Sequence, residues 1–353
     1  MLDYTQNEFV HLVANPNYYA TGPKVDEVIF QTFSQADILP QALITGQVDM
    51  ITEIQGTAVS TLRDAENVAV VTGAPLFLES TYISFNQIAP EDCPEGTTCS
   101  GHPALQDRTV RLALAHATDK QKIIDVTMLG LASPGLTLLP RGLAPWFNDS
   151  LQDFSYDVSL ANQMLDDAGY LDVDNDGIRE MPGGGLPLTF RTYGPNDMTV
   201  VPRMGDLIAE MWLEVGVKIE FQIFDPDSLW ALCCPDHDFD ILIWGWSSDP
   251  DPKTILSVMV STEIESGNND TGYVNPLYDE LFAQQAISID TEKRKEIIWQ
   301  MQQIVFEDVV FLVPFYPNAV QAYRTDRFTG WVTDENRISL EDISSLLLIE
   351  PVK

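Results

Sequence analysis

Apolar residues recur every third or fourth position in some stretches of the chain and every second position in others, and the two periods sort it into helices and strands. Between Arg203 and Val215, the residues Met204, Leu207, Ile208, Met211, Trp212 and Val215 form one helical stripe that Gly216 ends, and VKIEFQIF (217–224) then alternates as a strand. The methionines on this stripe read as core filler rather than as a thioether metal site, because a flexible thioether packs irregular gaps well. Tyr156–Tyr170 carries Leu160, Met164, Leu165 and Ala168 on one side, with Gly169 as its stop. Val110, Leu112, Leu114 and Ala115 predict a short helix after Asp107, and Asp119 is placed to cap a second, KQKIIDVTML. Asn275 followed by Pro276 is an N-cap and first-turn pair for LYDELFAQQA, and Thr291–Glu307 turns Ile297, Ile298, Met301, Ile304 and Val305 inward. Ala36–Thr45, with Ile38, Leu39 and Leu43, ends at Gly46.

Strands are expected at Glu27–Phe33, Val48–Ile51, Tyr82–Phe85, Ile241–Trp244 and Val309–Tyr316, the last interrupted by Pro314. The alternation of strand and helix predicts an α/β layer. Polar, loop-like stretches lie at 88–107 and 262–276, the main boundary is expected near the first, and no internal repeat is visible. At 353 residues the chain is long enough for about two domains.

Charge narrows the function classes. With 53 Asp and Glu against 19 Lys and Arg, the net charge of −34 repels a nucleic-acid backbone and anionic lipid. No apolar run approaches the roughly 18 residues of a membrane-spanning helix. Residues 1–19 lack a basic segment, an apolar core and a small-residue cleavage site, so the chain reads either as cytoplasmic or as missing its beginning.

DFDILIWGWSSDPDP (238–252) is the most informative stretch. An apolar strand runs into Gly245, Trp244 and Trp246 flank that glycine, and small and acidic residues follow. Backbone exposed near Gly245 and Ser247, rings at Trp244 and Trp246, and an anion at Asp249 would suit a ligand with a cationic group. The alternative is a structural turn with core tryptophans and solvated aspartates. In DVDNDGIRE, Asp172, Asp174 and Asp176 before Gly177 reproduce the opening half of a calcium loop, and Glu180 is a further candidate ligand. Position 183, where a twelve-residue loop needs its bidentate Glu, is Gly. Calcium is thus an optional cofactor, and an acidic turn without metal is the rival.

The four cysteines are disulfide candidates: Cys93 and Cys99 across a short loop, and the adjacent Cys233 and Cys234, which would pair with that loop or with each other. A metal site of Cys233, Cys234 and His237 is the other option, though a second zinc-type pair is missing. There is no GxSxG, P-loop, HExxH or GxGxxG, and His11, His102, His116 and His237 are scattered; His116 reads as a packed or surface histidine.

Several segments together resemble the extracellular solute-binding proteins of family 5, the oligopeptide, dipeptide and nickel binding components of ABC importers. They are NPNYY (15–19), GPKVDEVIF (22–30), ALITGQVDM (42–50), YISFN (82–86), DRTVRLALAHATDKQKII (107–124), YDVSLANQMLDDAGY (156–170), DVDNDGIRE (172–180) and FDILIWGWSSDPDP (239–252), in the family's order. The resemblance implies a periplasmic-binding-protein-like two-lobe α/β fold of cluster C type, with an incomplete first lobe at 1–86, a second lobe at 87–318 and a return to the first at 319–353. It implies a non-catalytic, monomeric receptor outside the cytoplasmic membrane, lipid-anchored in full-length form and serving ABC transporter permease subunits. In peptide-binding members the position of Asp249 receives the peptide's amino group, and the backbone at Gly245 and Ser247 pairs with the peptide as an added strand. Two departures stand out. Ile243 occupies the place of an arginine that some members carry, and the family's secretion signal, anchor cysteine and first part of lobe one have no counterpart here. Weak or no peptide affinity and exposed apolar surface on 1–86 are therefore expected of this chain.

The rivals are an oligosaccharide receptor using Trp244 and Trp246, a nickel receptor disfavoured by unclustered histidines, a calcium-dependent glycoside hydrolase using paired acids, and an interaction fragment whose partner completes lobe one.

Overall fold

A computed structural model describes residues 2–52, 54–75, 78–234, 236–334 and 338–353. The chain divides into one unit formed by Met1–Leu76 with Pro317–Lys353 and another formed by Phe77–Tyr316.

The second unit is built on a six-stranded mixed sheet. Its order is Ala132–Pro134, Phe311–Pro317, Leu78–Phe85, Ile241–Ser248, Thr189–Pro195, Lys218–Phe224. The two central strands pair antiparallel over eight residues each, with Tyr82 opposite Trp244 and Ser80 opposite Trp246. Side chains alternate between faces. Ile83, Phe85, Ile241 and Ile243 face a core shared with helices Arg108–His116, Val158–Asp167 and Val201–Leu213. Tyr82, Trp244 and Trp246 face another, filled from Pro276–Ile287 and Thr291–Glu307 by Tyr278, Leu281, Ile298, Met301 and Val305.

Local signals account for the helix bounds. Asp107 accepts from Thr109 N at 2.8 Å, Asp119 from Lys122 N at 2.9 Å, Asp157 from Leu160 N at 2.9 Å and Asp290 from Lys293 N at 3.0 Å. Asn275 accepts from both Leu277 N and Tyr278 N. Each such cap stabilises its helix by about 1 kcal/mol. Gly216 takes φ +72° directly after the helix ending at Leu213, a conformation that a side chain would resist. Met204 and Met211 are buried in the core, as the stripe predicts.

The first unit holds two three-stranded sheets, Asp3–Thr5, Phe9–Val13, Glu27–Gln31 and, separately, Met50–Ile51, Ala319–Arg324, Val68–Gly73. Its small core is Leu43, Ile51, Leu62 and Ala322.

Three sequence expectations change. The strand at Tyr82–Phe85, expected to close the first segment at 86, begins at Leu78 and sits in the middle of the second unit's sheet. The strand expected to stop at Gly245 continues to Ser248, because its antiparallel partner supplies bonds along its whole length. Thr189–Pro195, which sequence reading passed over, stands beside it. Pro314 does interrupt its strand: the register shifts between Leu312 and Phe315.

Candidate functional site

Among the described residues, the half-strand from Ile243 to Ser248 has a strand partner in register on one side only. Thr189–Pro195 pairs in parallel with Ile241 and Leu242 and no further, whereas Leu78–Phe85 pairs all the way to Ser248. In an antiparallel ladder successive residues turn their N–H and C=O to opposite sides. Asp240 O accepts from Asn86 N at 2.9 Å. Counted in twos from there, Leu242, Trp244 and Trp246 face that partner, and Ile243, Gly245 and Ser247 between them turn their backbone groups away from it. Ser80 Oγ reaching Trp246 O at 3.5 Å agrees with this count. A side chain at Gly245 would be crowded, since a Cβ there would lie 3.3 Å from Met198 Cε and 3.4 Å from Ser80 O.

The base of this strand is fixed by a charged knot. Asp240, buried, accepts from His102 N at 2.8 Å and Arg191 N at 2.6 Å, and Arg191 Nη1 also meets Asp238 at 2.6 Å. Bonds from Ser100 and Arg191 hold the Asp238 carboxyl below its ordinary value.

Trp244 and Trp246, half-buried, both pack against the core of the two C-terminal helices. Trp244 also leans on Tyr193, Leu229, Phe239 and Leu242, a cluster closed by Cys233 and Cys234. Those two cysteines are bonded to each other, and Cys93 is bonded to Cys99. The metal alternative is thereby corrected: a sulfur in a disulfide is not a thiolate, so Cys233 and Cys234 offer no ligands beside His237. His116 is a packed histidine, its Nδ1 2.7 Å from Ser155 O.

Ser247 and Asp249 are exposed. Asp249 Oδ2 accepts from Thr254 Oγ1 at 3.0 Å, and among the described residues no Lys or Arg forms an ion pair with it. Two residues on, Asp251 is taken by Arg294 in a bidentate pair at 2.6 and 2.8 Å.

Asp172, Asp174, Asp176 and Glu180 each bring one carboxylate oxygen within 4.8 Å of the others, the first three exposed and Glu180 buried. This all-oxygen set suits a hard cation such as calcium. The same carboxylates also order the turn directly: Asp172 accepts from Gly177 N at 3.0 Å, Asp176 from Ile178 N at 2.8 Å and Glu180 from Val173 N at 2.8 Å. Glu180, the further candidate beside the glycine at position 183, is the carboxylate that lies with the three aspartates.

Among the described residues, no helix is long and apolar enough to cross a membrane. The sequence profile of bacterial extracellular solute-binding proteins, family 5 Middle, matches residues 1–267. The chain is 25% identical over 324 residues to the oligopeptide-binding protein AppA of Bacillus subtilis, covering 90% of this chain and 55% of that protein. It is 24% identical over 337 residues to heme-binding protein A of Haemophilus influenzae, covering 94% and 56%. Among solved structures, HbpA2 of Haemophilus parasuis superposes with a TM-score of 0.81 at 19% identity, covering all of this chain and 63% of that one. AppA of Bacillus subtilis with a bound nonapeptide gives 0.66 at 22% identity, covering 99% and 65%. The chain thus spans little more than half the length of the curated relatives it matches, and its fold is that of these binding proteins.

Proposed function

From the premise that this chain belongs to the bacterial extracellular solute-binding proteins, family 5, we propose that it takes part in capturing a short peptide as an added strand on the open edge of Ile241–Ser248. The observation that carries the reading is that edge: among the described residues, the strand is paired on one side only from Ile243 onward. Main-chain pairing is indifferent to side-chain identity, so one edge serves many sequences. Register then needs one fixed point, and Asp249, an exposed carboxylate without a cationic partner among the described residues, suits a peptide's terminal ammonium. Relatives whose names state oligopeptide and di- or tripeptide binding favour the same cargo class.

The protein is read as a carrier, not a catalyst: it hands its cargo to the permease subunits of an ABC importer, works outside the cytoplasmic membrane, and is held there by a lipid anchor in full-length form. The two disulfides suit that oxidising side. The oligosaccharide alternative loses ground because Trp244 and Trp246 both pack against a core.

Saturation-transfer NMR, which reads weak complexes, tests the assignment with tripeptides to pentapeptides on the full chain. Asp249→Asn is expected to weaken free-amine peptides about tenfold, the value of one charge-assisted hydrogen bond. N-acetylated peptides should bind wild type and variant alike. Equal losses for both peptide kinds, or binding of cello- and manno-oligosaccharides with no peptide binding, would overturn the reading.

A further inference from the structure

On the face of the sheet opposite to where a side chain at Gly245 would project, a buried carboxylate lies behind the open edge. Asp270 is 3% exposed, its Oδ2 accepts the Tyr82 hydroxyl, and its Oδ1 accepts Ser84 Oγ at 3.3 Å. Tyr82 stands directly across from Trp244, and the next pair on that face is Ser80 with Trp246. The indole N–H of Trp246 is buried with no acceptor in hydrogen-bonding geometry. The Trp246 ring instead packs against the cluster that contains Tyr82, diagonal to it across the two paired strands, while burial and Asp270 drive the pKa of the Tyr82 hydroxyl well up. The turn carrying Asp270 is itself held. Thr271 O accepts from Gln87 N at 2.7 Å, and Asn269 Nδ2 donates to Val260 O at 3.1 Å and to Tyr273 O at 2.9 Å.

We propose that Asp270 is a positioning residue for the cargo edge: through Tyr82 it fixes the indole of Trp246, and its protonation loosens that hold. The role at the edge rests on reading Ile243–Ser248 as the peptide site. The physical basis is that this carboxylate is held by two hydroxyls from Leu78–Phe85, the strand paired with the cargo edge. The titratable groups facing it are Tyr82, from the strand, and His237, from the turn before Ile241, whose ring lies against the Asp270 backbone. Among the described residues no Lys, Arg or second carboxylate adds a charge contribution there. Burial pushes the Asp270 carboxyl up to about 6, against the two hydroxyls that pull it down. Ionised, it accepts from both Tyr82 and Ser84; protonated, it has a proton to donate, and one of those hydroxyls loses its acceptor.

The test reads Trp246 emission in the full chain, isolated by difference against Trp246→Phe, from pH 4.5 to 8. Wild type is expected to show a sigmoid centred near pH 6. It should vanish in Asp270→Asn and in Tyr82→Phe, and the affinity of wild type for a tripeptide should fall at least threefold between pH 7.5 and 5 while Asp270→Asn stays level. If Asp270→Asn does not fold, Tyr82→Phe carries the same readout. A featureless wild-type titration, or a sigmoid that survives in the folded variants, overturns the proposal. An intact fluorescence result with no peptide binding at any pH supports the hold of Asp270 on Trp246 and tells against the cargo reading alone.

Discussion

Asp249 and Asp251 carry the same side chain two positions apart, and the fold gives them opposite fates. Arg294 grips Asp251 at two points while stacking over Trp146 at 4.9 Å, which pulls the Asp251 carboxyl below its ordinary value. Asp249 accepts from the Thr254 hydroxyl and, among the described residues, from no cationic side chain. The sequence singles out Asp249 for a cationic group, but it cannot show that Asp251 is taken, since Arg294 lies on a helix 43 positions away. His237 was equally hard to foresee. Its ring is fully buried, neither nitrogen has a partner in hydrogen-bonding geometry among the described residues, and burial lowers its pKa against the backbone groups of Ile264 and Asp270. The native ring therefore refuses a proton that the unfolded chain accepts below about pH 6.5, so its contribution to stability is present above that pH and lost as pH falls. Its φ of +50° is one that Asn tolerates. Melting curves from pH 7.5 to 5.5 are expected to show a steeper loss in wild type than in His237→Asn; parallel slopes would refute this. Asp270 has the opposite sign, its raised pKa adding stability as pH falls through about 6. Asp270→Asn should therefore lose most relative to wild type at pH 5, and a variant whose deficit is greatest at pH 7.5 would contradict this.

At the scale of elements, helices were legible and strands only partly so. Caps and stripes act within a turn or two, so Asp107, Asp119, Asn275 and Asp290 announce their helices from the sequence. The strand Ile241–Ser248 was read short because glycine and serine are weak strand formers; its partner Leu78–Phe85 overrides that preference. The turn at Asn269–Tyr273 depends on one backbone position. Gly272 takes φ +64°, and a Cβ there would come within 2.5 Å of Ile88 Cβ and 2.7 Å of its Cα. Gly272→Ala combines a disfavoured conformation with overpacking and should cost about 2–3 kcal/mol in urea unfolding. A loss under about 0.5 kcal/mol would mean that the turn gives way without cost.

For the molecule as a whole, charge imbalance is the dominant long-range term. With 53 acidic against 19 basic side chains, most carboxylates have no cationic partner available and repel one another. Salt shortens the reach of that repulsion, from a Debye length of about 10 Å at 0.1 M to about 3 Å at 1 M. The melting temperature should accordingly rise by several degrees between 0.05 and 0.5 M NaCl at pH 7.5, and a flat or falling curve would show that specific ion pairs outweigh the general field. Exposed apolar residues of the first unit, among them Leu2, Tyr4, Val10, Val13, Tyr19, Ile29 and Ile38, agree with the expectation of apolar surface on 1–86.

The order of residues along the chain was enough for the helices, their caps, the α/β class and the family, because each rests on residues near one another or on a linear series of motifs. The open edge, the buried Asp270 and the division between Asp249 and Asp251 came only with the folded chain. Ser80 and Trp246 are 166 positions apart, and Tyr82 and Asp270 are 188 apart. No local period encodes which strands become neighbours, where one neighbour stops short, or which acid is buried; those follow from how two distant segments pack into a single sheet.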